Sequence, residues 1–197
     1  MERWGADFEP DRLADLETRM WNAYYRKQPL RLYGYLLQGL HEQAGASWPR
    51  AIAASVFLTK AAAQFGNTFG MADPDYDRFA PDIARGYRLL GLPADVDAEE
   101  VARRELRWWV VRREIGLSAG EAAGQAITRL YAALYHVPES AVADAGRLRG
   151  EAAEVRDRGA TADPDGPTGR GAAYWPRVAR LLRESYRSLH EALASDG

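Results

Sequence analysis

Residues Arg103 to Glu114 read RRELRWWVVRRE, a run that does not alternate as a half-buried strand would. On a helical projection the apolar side chains of Val101, Ala102, Leu106, Trp108, Trp109, Val110, Val111 and Ile115 cover most of the circumference. Arg103, Arg107 and Glu114 share the narrow strip left over, which is the wet face. Glu105 and Arg112 do not share it. They project side by side within the apolar arc, between Trp108 and Trp109, so this helix turns two charges inward.

Helix signals of the same kind run the length of the chain, and convincing strand patterns are absent. A first helix is predicted over Asp11 to Arg26 and a second from Pro29 to the QAGAS break. Ser47 stands where it can cap a third, WPRAIAASVFLTKAAAQF, which is apolar nearly all round. A fourth ends at Gly91, DAEE at Asp97 opens the Arg103 helix as a capping box, and SAGE at Ser118 opens the next. A seventh is predicted over Glu139 to Asp157, and a last begins at YWPR. The fold expected is all-α: one compact domain of seven to eight helices with helix 48–66 central. Its parts are a helical core over 1–158, a flexible linker over 159–171 rich in glycine, proline and aspartate, and a C-terminal helix over 172–194 packing back on the core.

The inward charges recur. Glu17 falls in the middle of the face formed by Leu13, Leu16, Met20, Trp21 and Tyr24, and His41 aligns with Leu30, Gly34 and Leu37 at the edge of the second helix's arc. A lone buried charge costs several kcal/mol, so such groups pair or titrate to neutral. Glu105 and Arg112 are seven residues apart, about 10 Å along the helix axis, too far to pair with each other. Arg112 is therefore expected to meet Glu17, leaving Glu105 to a tyrosine, a tryptophan N–H or His41.

Two readings of this cluster follow. In the first, Glu17, Glu105 and Arg112 are catalytic groups in a small-molecule pocket walled by Trp21, Tyr24, His41 and Trp108. There a carboxyl raised by apolar surroundings serves as general acid or base, and Arg112 clamps an anion. In the second, the chain is a non-catalytic interaction or assembly protein whose inward charges fix how the helices pack.

Other chemistries are poorly served. With no cysteine there is no disulfide, thiolate metal site or cysteine nucleophile. Two inward glutamates and one histidine are too few for an expected metal site, and no Glu-x-x-His pair occurs. No cofactor is indicated. DPDYD at Asp73, Asp75 and Asp77 has the opening spacing of a calcium loop but lacks the glycine and the closing glutamate. A net charge of −2 argues against nucleic acid as a partner. No apolar run suffices for a membrane span and no leader pattern opens the chain, so a cytoplasmic protein is expected. Tyr33, Tyr35, Tyr131, Tyr135, Trp4 and Trp175 exceed what a minimal bundle core needs, and part of this aromatic surface is expected to cover a partner or a second copy.

Overall fold

In a computed structural model of the chain, residues 4–162 and 173–195 are described. Prolines within the first turn open α1 (Pro10–Tyr25), α2 (Pro29–Ala44) and α3 (Trp48–Asn67), where a missing N–H costs nothing. Glu9 caps α1 by accepting from the amides of Asp11 and Arg12. Left-handed glycines stop α2 at Gly45 and α4 (Ala80–Leu90) at Gly91. Asp97 caps α5 (Ala98–Ile115) through the amides of Glu99 and Glu100, as its sequence predicts. The chain continues through α6 (Gly120–Tyr135), α7 (Ala143–Ala162) and α8 (Trp175–Ser195). Two expected caps make no side-chain bond: Ser47 stands at the start of α3 without donating or accepting there, and α6 begins after Ala119 instead of Ser118. The free Gly120 amide donates instead to Glu154 of α7, at 2.9 Å.

These eight helices, with no strand among the described residues, form one helix-packed arrangement. Successive helices are antiparallel neighbours, and α8 returns against α1, so the packing order closes on itself. Side chains fill the interior in one large apolar cluster that includes Phe79, Ile83, Val101, Ile127, Leu182 and Leu189, with a smaller one of Ala46, Ala54 and Leu90. Among the described residues no helix is long and apolar enough to cross a membrane.

The most enclosed helix is α6, with ten of its sixteen residues buried. This corrects the expectation that helix 48–66 is central. Only Ala51, Ala54, Ser55 and Ala61 of α3 are buried, and Ile52 and Val56 face outward. Hydrophobicity all round a helix there reflects alanine content, and α3 packs mainly on α4 and α2. Part of the predicted linker is helix, since α7 runs through Ala162; residues 163–171 of it lie outside the described residues.

What lets α6 and α7 sit so close is a strip of glycines. A Cβ on Gly150 would come within 2.5 Å of the Gly124 nitrogen, and one on Gly146 within 2.7 Å of the Thr128 nitrogen. Backbone cannot give way as a flexible side chain can. Gly150→Ala is therefore expected to cost about 3 kcal/mol by overpacking, against the small gain alanine brings to an unhindered helix. Urea denaturation of the variant measures this, and an unchanged midpoint would show that the helices are not in such contact.

Candidate functional site

Glu17 is buried, Glu105 and Arg112 are half-buried, and Glu17 and Arg112 have partners that the sequence did not name. Glu17 on α1 is 5% exposed. Its Oε1 accepts from Arg149 of α7, from Nη2 at 2.5 Å and Nε at 3.1 Å, and its Oε2 accepts from the Tyr186 hydroxyl of α8 at 2.6 Å. Arg149 also donates through Nη1 to the Tyr131 hydroxyl of α6 at 3.2 Å, and its guanidinium lies 5.4 Å from the Trp108 ring of α5. Burial alone would depress the Arg149 pKa, but the carboxylate of Glu17 and its neighbours hold it well above the ordinary arginine value. The same burial pushes the Tyr131 hydroxyl up to about 12. Arg149 is thus a fixed cation in contact with three other helices, α1, α5 and α6.

Glu105 follows the expected pattern of partners. Its Oε1 accepts from the indole N–H groups of Trp108 at 3.2 Å and Trp109 at 3.1 Å, and its Oε2 accepts from the Tyr87 hydroxyl at 3.2 Å. Desolvation raises its pKa, while the charge of Arg149 and the three donors oppose the rise without cancelling it. Tyr87 in turn is raised well above the ordinary tyrosine value by burial and by the facing carboxylate.

Arg112 does not meet Glu17. It makes a fork with Asp157 of α7, Nε to Oδ2 at 2.8 Å and Nη2 to Oδ1 at 2.7 Å, and Nη2 also reaches the Tyr25 hydroxyl at 2.7 Å. Arg156 adds a second ion pair to Asp157 and lies 3.0 Å from the centroid of the Tyr25 ring. Burial pushes the Asp157 carboxyl up, but the bonds and charge of Arg112 together with Arg156 outweigh it and leave it below its ordinary value of 3.8. So the predicted Glu17–Arg112 pair is replaced by two pairs, Glu17–Arg149 and Arg112–Asp157. The reason is that α7 brings its own charges into the interior.

Of the predicted walls, Trp21 and Trp108 are buried beside these pairs, with Trp21 under the Arg112 guanidinium at 5.7 Å. Tyr24 is not a wall: it is 53% exposed and packs edge-on against Tyr25. His41 is elsewhere, at the turn into α3. Its Nδ1 is 2.6 Å from the Ala46 carbonyl oxygen and its ring stacks on Trp48 at 4.1 Å. That edge position on the α2 arc suits a turn-closing group. Of the aromatics from which a partner surface was expected, Tyr131, Tyr135 and Trp175 are buried, and Trp4, Tyr33 and Tyr35 are half-buried.

Sequence reasoning missed Arg149, Asp157 and the tyrosines Tyr131 and Tyr186. A signal for Arg149 was present. It shares a face with Ala145, Ala152, Ala153, Arg156 and Ala160, all buried, but a stripe of alanines is too weakly apolar to mark that face as inner.

A crevice of about 40 Å³ beside this network is lined by Trp4, Leu40, Gln43, Ala44, Leu58, Tyr87 and Leu90. It has room for a few waters. It meets the network only at Tyr87. An open groove elsewhere, along the Gly91–Asp97 connection, is lined by residues such as Arg88, Pro93 and Glu99 and reaches none of the network. No protein-family model, curated protein or solved structure matches the chain, so the functional reading rests on geometry.

Two measurements probe the network. Glu17→Gln and Arg149→Met should each cost about 3–5 kcal/mol, since each leaves a buried group without its partner. The double variant should cost less than their sum by about 1–3 kcal/mol, and additivity within about 0.5 kcal/mol would break the assigned pair. For Asp157, a folded pKa below the unfolded one means stability that is present above the unfolded value and lost as pH falls through the folded one. The loss in Asp157→Asn is therefore expected in full at neutral pH and should shrink below about pH 3.8. A loss that stays constant down to pH 2, in urea titrations read by tryptophan fluorescence, would mean that Asp157 carries no charge-dependent contact.

Proposed function

We propose that this chain is a non-catalytic interaction or assembly protein that works through its surface, and that its interior charges serve to fix helix packing. The observation that carries this reading is saturation. Every carboxylate oxygen of Glu17, Glu105 and Asp157 accepts from a protein donor, and each donor comes from a side chain that the packing already holds. A general acid or base needs a face open to the proton it moves, and an arginine that holds a substrate anion needs donors to spare. Arg112 commits Nε and Nη2, the edge that would hold an anion by two parallel bonds, to Asp157 and Tyr25.

The small-molecule reading keeps one support, the Tyr87 edge of the narrow crevice. Of the residues lining it, Tyr87 is the one that bonds Glu105, and the space is far below the few hundred Å³ of ordinary ligand pockets. Surface chemistry favours association instead. Leu30 is 89% exposed and Phe69 is 83% exposed, in a chain that buries most of its other large apolar side chains.

Native mass spectrometry of the purified protein, with elemental analysis of the same sample, separates the two readings. The expected masses are those of the chain alone or of its multiples. A stoichiometric small molecule or metal, released on denaturation and lost in Glu105→Gln, would overturn the surface reading.

A further inference from the structure

Helices that alternate in direction collect the last residues of α1, α3, α5 and α7 at one end of the bundle. Printed into the packing is a pair of adjacent arginines that pins them. Arg112 bonds Tyr25 at the end of α1 and Asp157 in the last turns of α7. Arg113 donates to the Phe65 carbonyl and the Thr68 hydroxyl at the end of α3, at 3.0 and 2.6 Å. The residues around these termini include Tyr24, Leu30, Phe69, Met71, Ile115 and Leu117, all exposed. Of the nine exposed large apolar side chains among the described residues, six are therefore at this end, and the other three lie along α3.

Charge is divided across the same end. Lys27 in the α1–α2 turn and Arg31 in the first turn of α2 are exposed on either side of Leu30, and the α3–α4 connection carries exposed Asp73, Asp75 and Asp77 beyond Phe69 and Met71. The single cation of that connection, Arg78, lies against the ring of Phe79, 4.8 Å from its centroid. Among the described residues, neither Lys27 nor Arg31 forms an ion pair with Asp73, Asp75 or Asp77 within one molecule. A patch with an apolar middle, a basic corner and an acidic corner complements itself under a two-fold rotation, because each basic corner then faces the other molecule's acidic one.

We propose that this end of the bundle docks a second copy of the chain, end to end, with Leu30, Phe69 and Met71 meeting across the axis. The proposal rests on the surface reading above and names its partner. A chain of foreign composition would need to match both corners and the apolar middle, whereas a second copy supplies that match by symmetry.

Sedimentation velocity over a broad concentration range tests it. Wild-type protein should pass from monomer to dimer, and Leu30→Asp with Phe69→Asp should weaken the dimer by about 100-fold, the effect of removing two central apolar anchors. Ile52→Asp with Val56→Asp, on the α3 flank, should leave association unchanged. The charge arrangement has its own test. Lys27→Glu with Arg31→Glu, and separately Asp75→Lys with Asp77→Lys, should each be monomeric alone. Mixed in equal amounts, they should form a heterodimer of one copy of each, read by native mass spectrometry. Circular dichroism confirms that each variant is helical. A wild type that stays monomeric, a dimer that survives the Leu30 and Phe69 changes, or two charge variants that fail to rescue each other would each overturn the proposal. A monomeric wild type free of ligand would sink self-docking alone, whereas a copurifying ligand would sink the surface reading itself.

Discussion

A guanidinium buried between helices is the constraint on which this arrangement depends. Arg149 cannot be left unpaired without a cost of several kcal/mol, and it is satisfied only if α1 presents Glu17 and α6 presents Tyr131 at the same height. It reaches Glu17 because α7 has glycines where it meets α6, which lets the two backbones close together and brings the long side chain inside. The pair is weak evidence for net stability, since replacing both charges by apolar groups is often neutral. Its physical consequence is selection of register. Rotating α7 by one residue would carry Arg149 and Arg156 away from their acids and leave Glu17 facing only the hydroxyl of Tyr186.

Below this pair, toward the shared ends of the odd-numbered helices, a second layer repeats the logic with different residues. Arg112 and Arg156 converge on Asp157, and the Tyr25 ring lies against one guanidinium while its hydroxyl accepts from the other. Two cations on one carboxylate leave a local positive excess. The Tyr25 and Trp21 ring faces offset part of it by their quadrupoles. Glu105 balances the opposite way at mid-height. It has three neutral donors and no direct ion pair, so burial raises its pKa even with the Arg149 charge nearby. The interior thus holds acids in two states of compensation, and the difference is whether an arginine bonds the carboxylate directly.

How much of this was legible follows from residue type. Helix starts marked by proline or aspartate were readable, because those signals are local: Pro10, Pro29, Pro49, Pro81 and Asp97 all stand at helix openings. The inward direction of Glu17, Glu105 and Arg112 was readable too, because tryptophans and leucines on the same face fix which side is inside. Partners were not. Pairing is a property of which helices become neighbours, and α7, lined with alanine and glycine, gave no contrast by which to orient its arginines. The same blindness to alanine placed α3 at the centre. A helix of small apolar residues reads as buried on all sides, although Ile52, Val56 and Trp48 face outward. His41 shows the limit of projection alone, since an edge position does not separate a pocket wall from a group that closes a turn.

Closure of the helix order has a consequence for the surface. Each helix has a neighbour on both flanks, and α8 is fastened to α1 twice by adjacent residues: Tyr186 donates to Glu17 inside, and Arg187 forms a fork with Asp11 outside at 2.7 and 2.6 Å. Lateral faces are thereby consumed by packing within the chain. Apolar side chains without neighbours must then collect where helices stop or where one flank is thinly covered. The first place is the end that gathers the C-termini of α1, α3, α5 and α7, and the second is the outer side of α3, whose contact with α2 is the sparsest between successive helices. Exposed apolar groups are found in those two places because a ring of antiparallel helices has no other room for them.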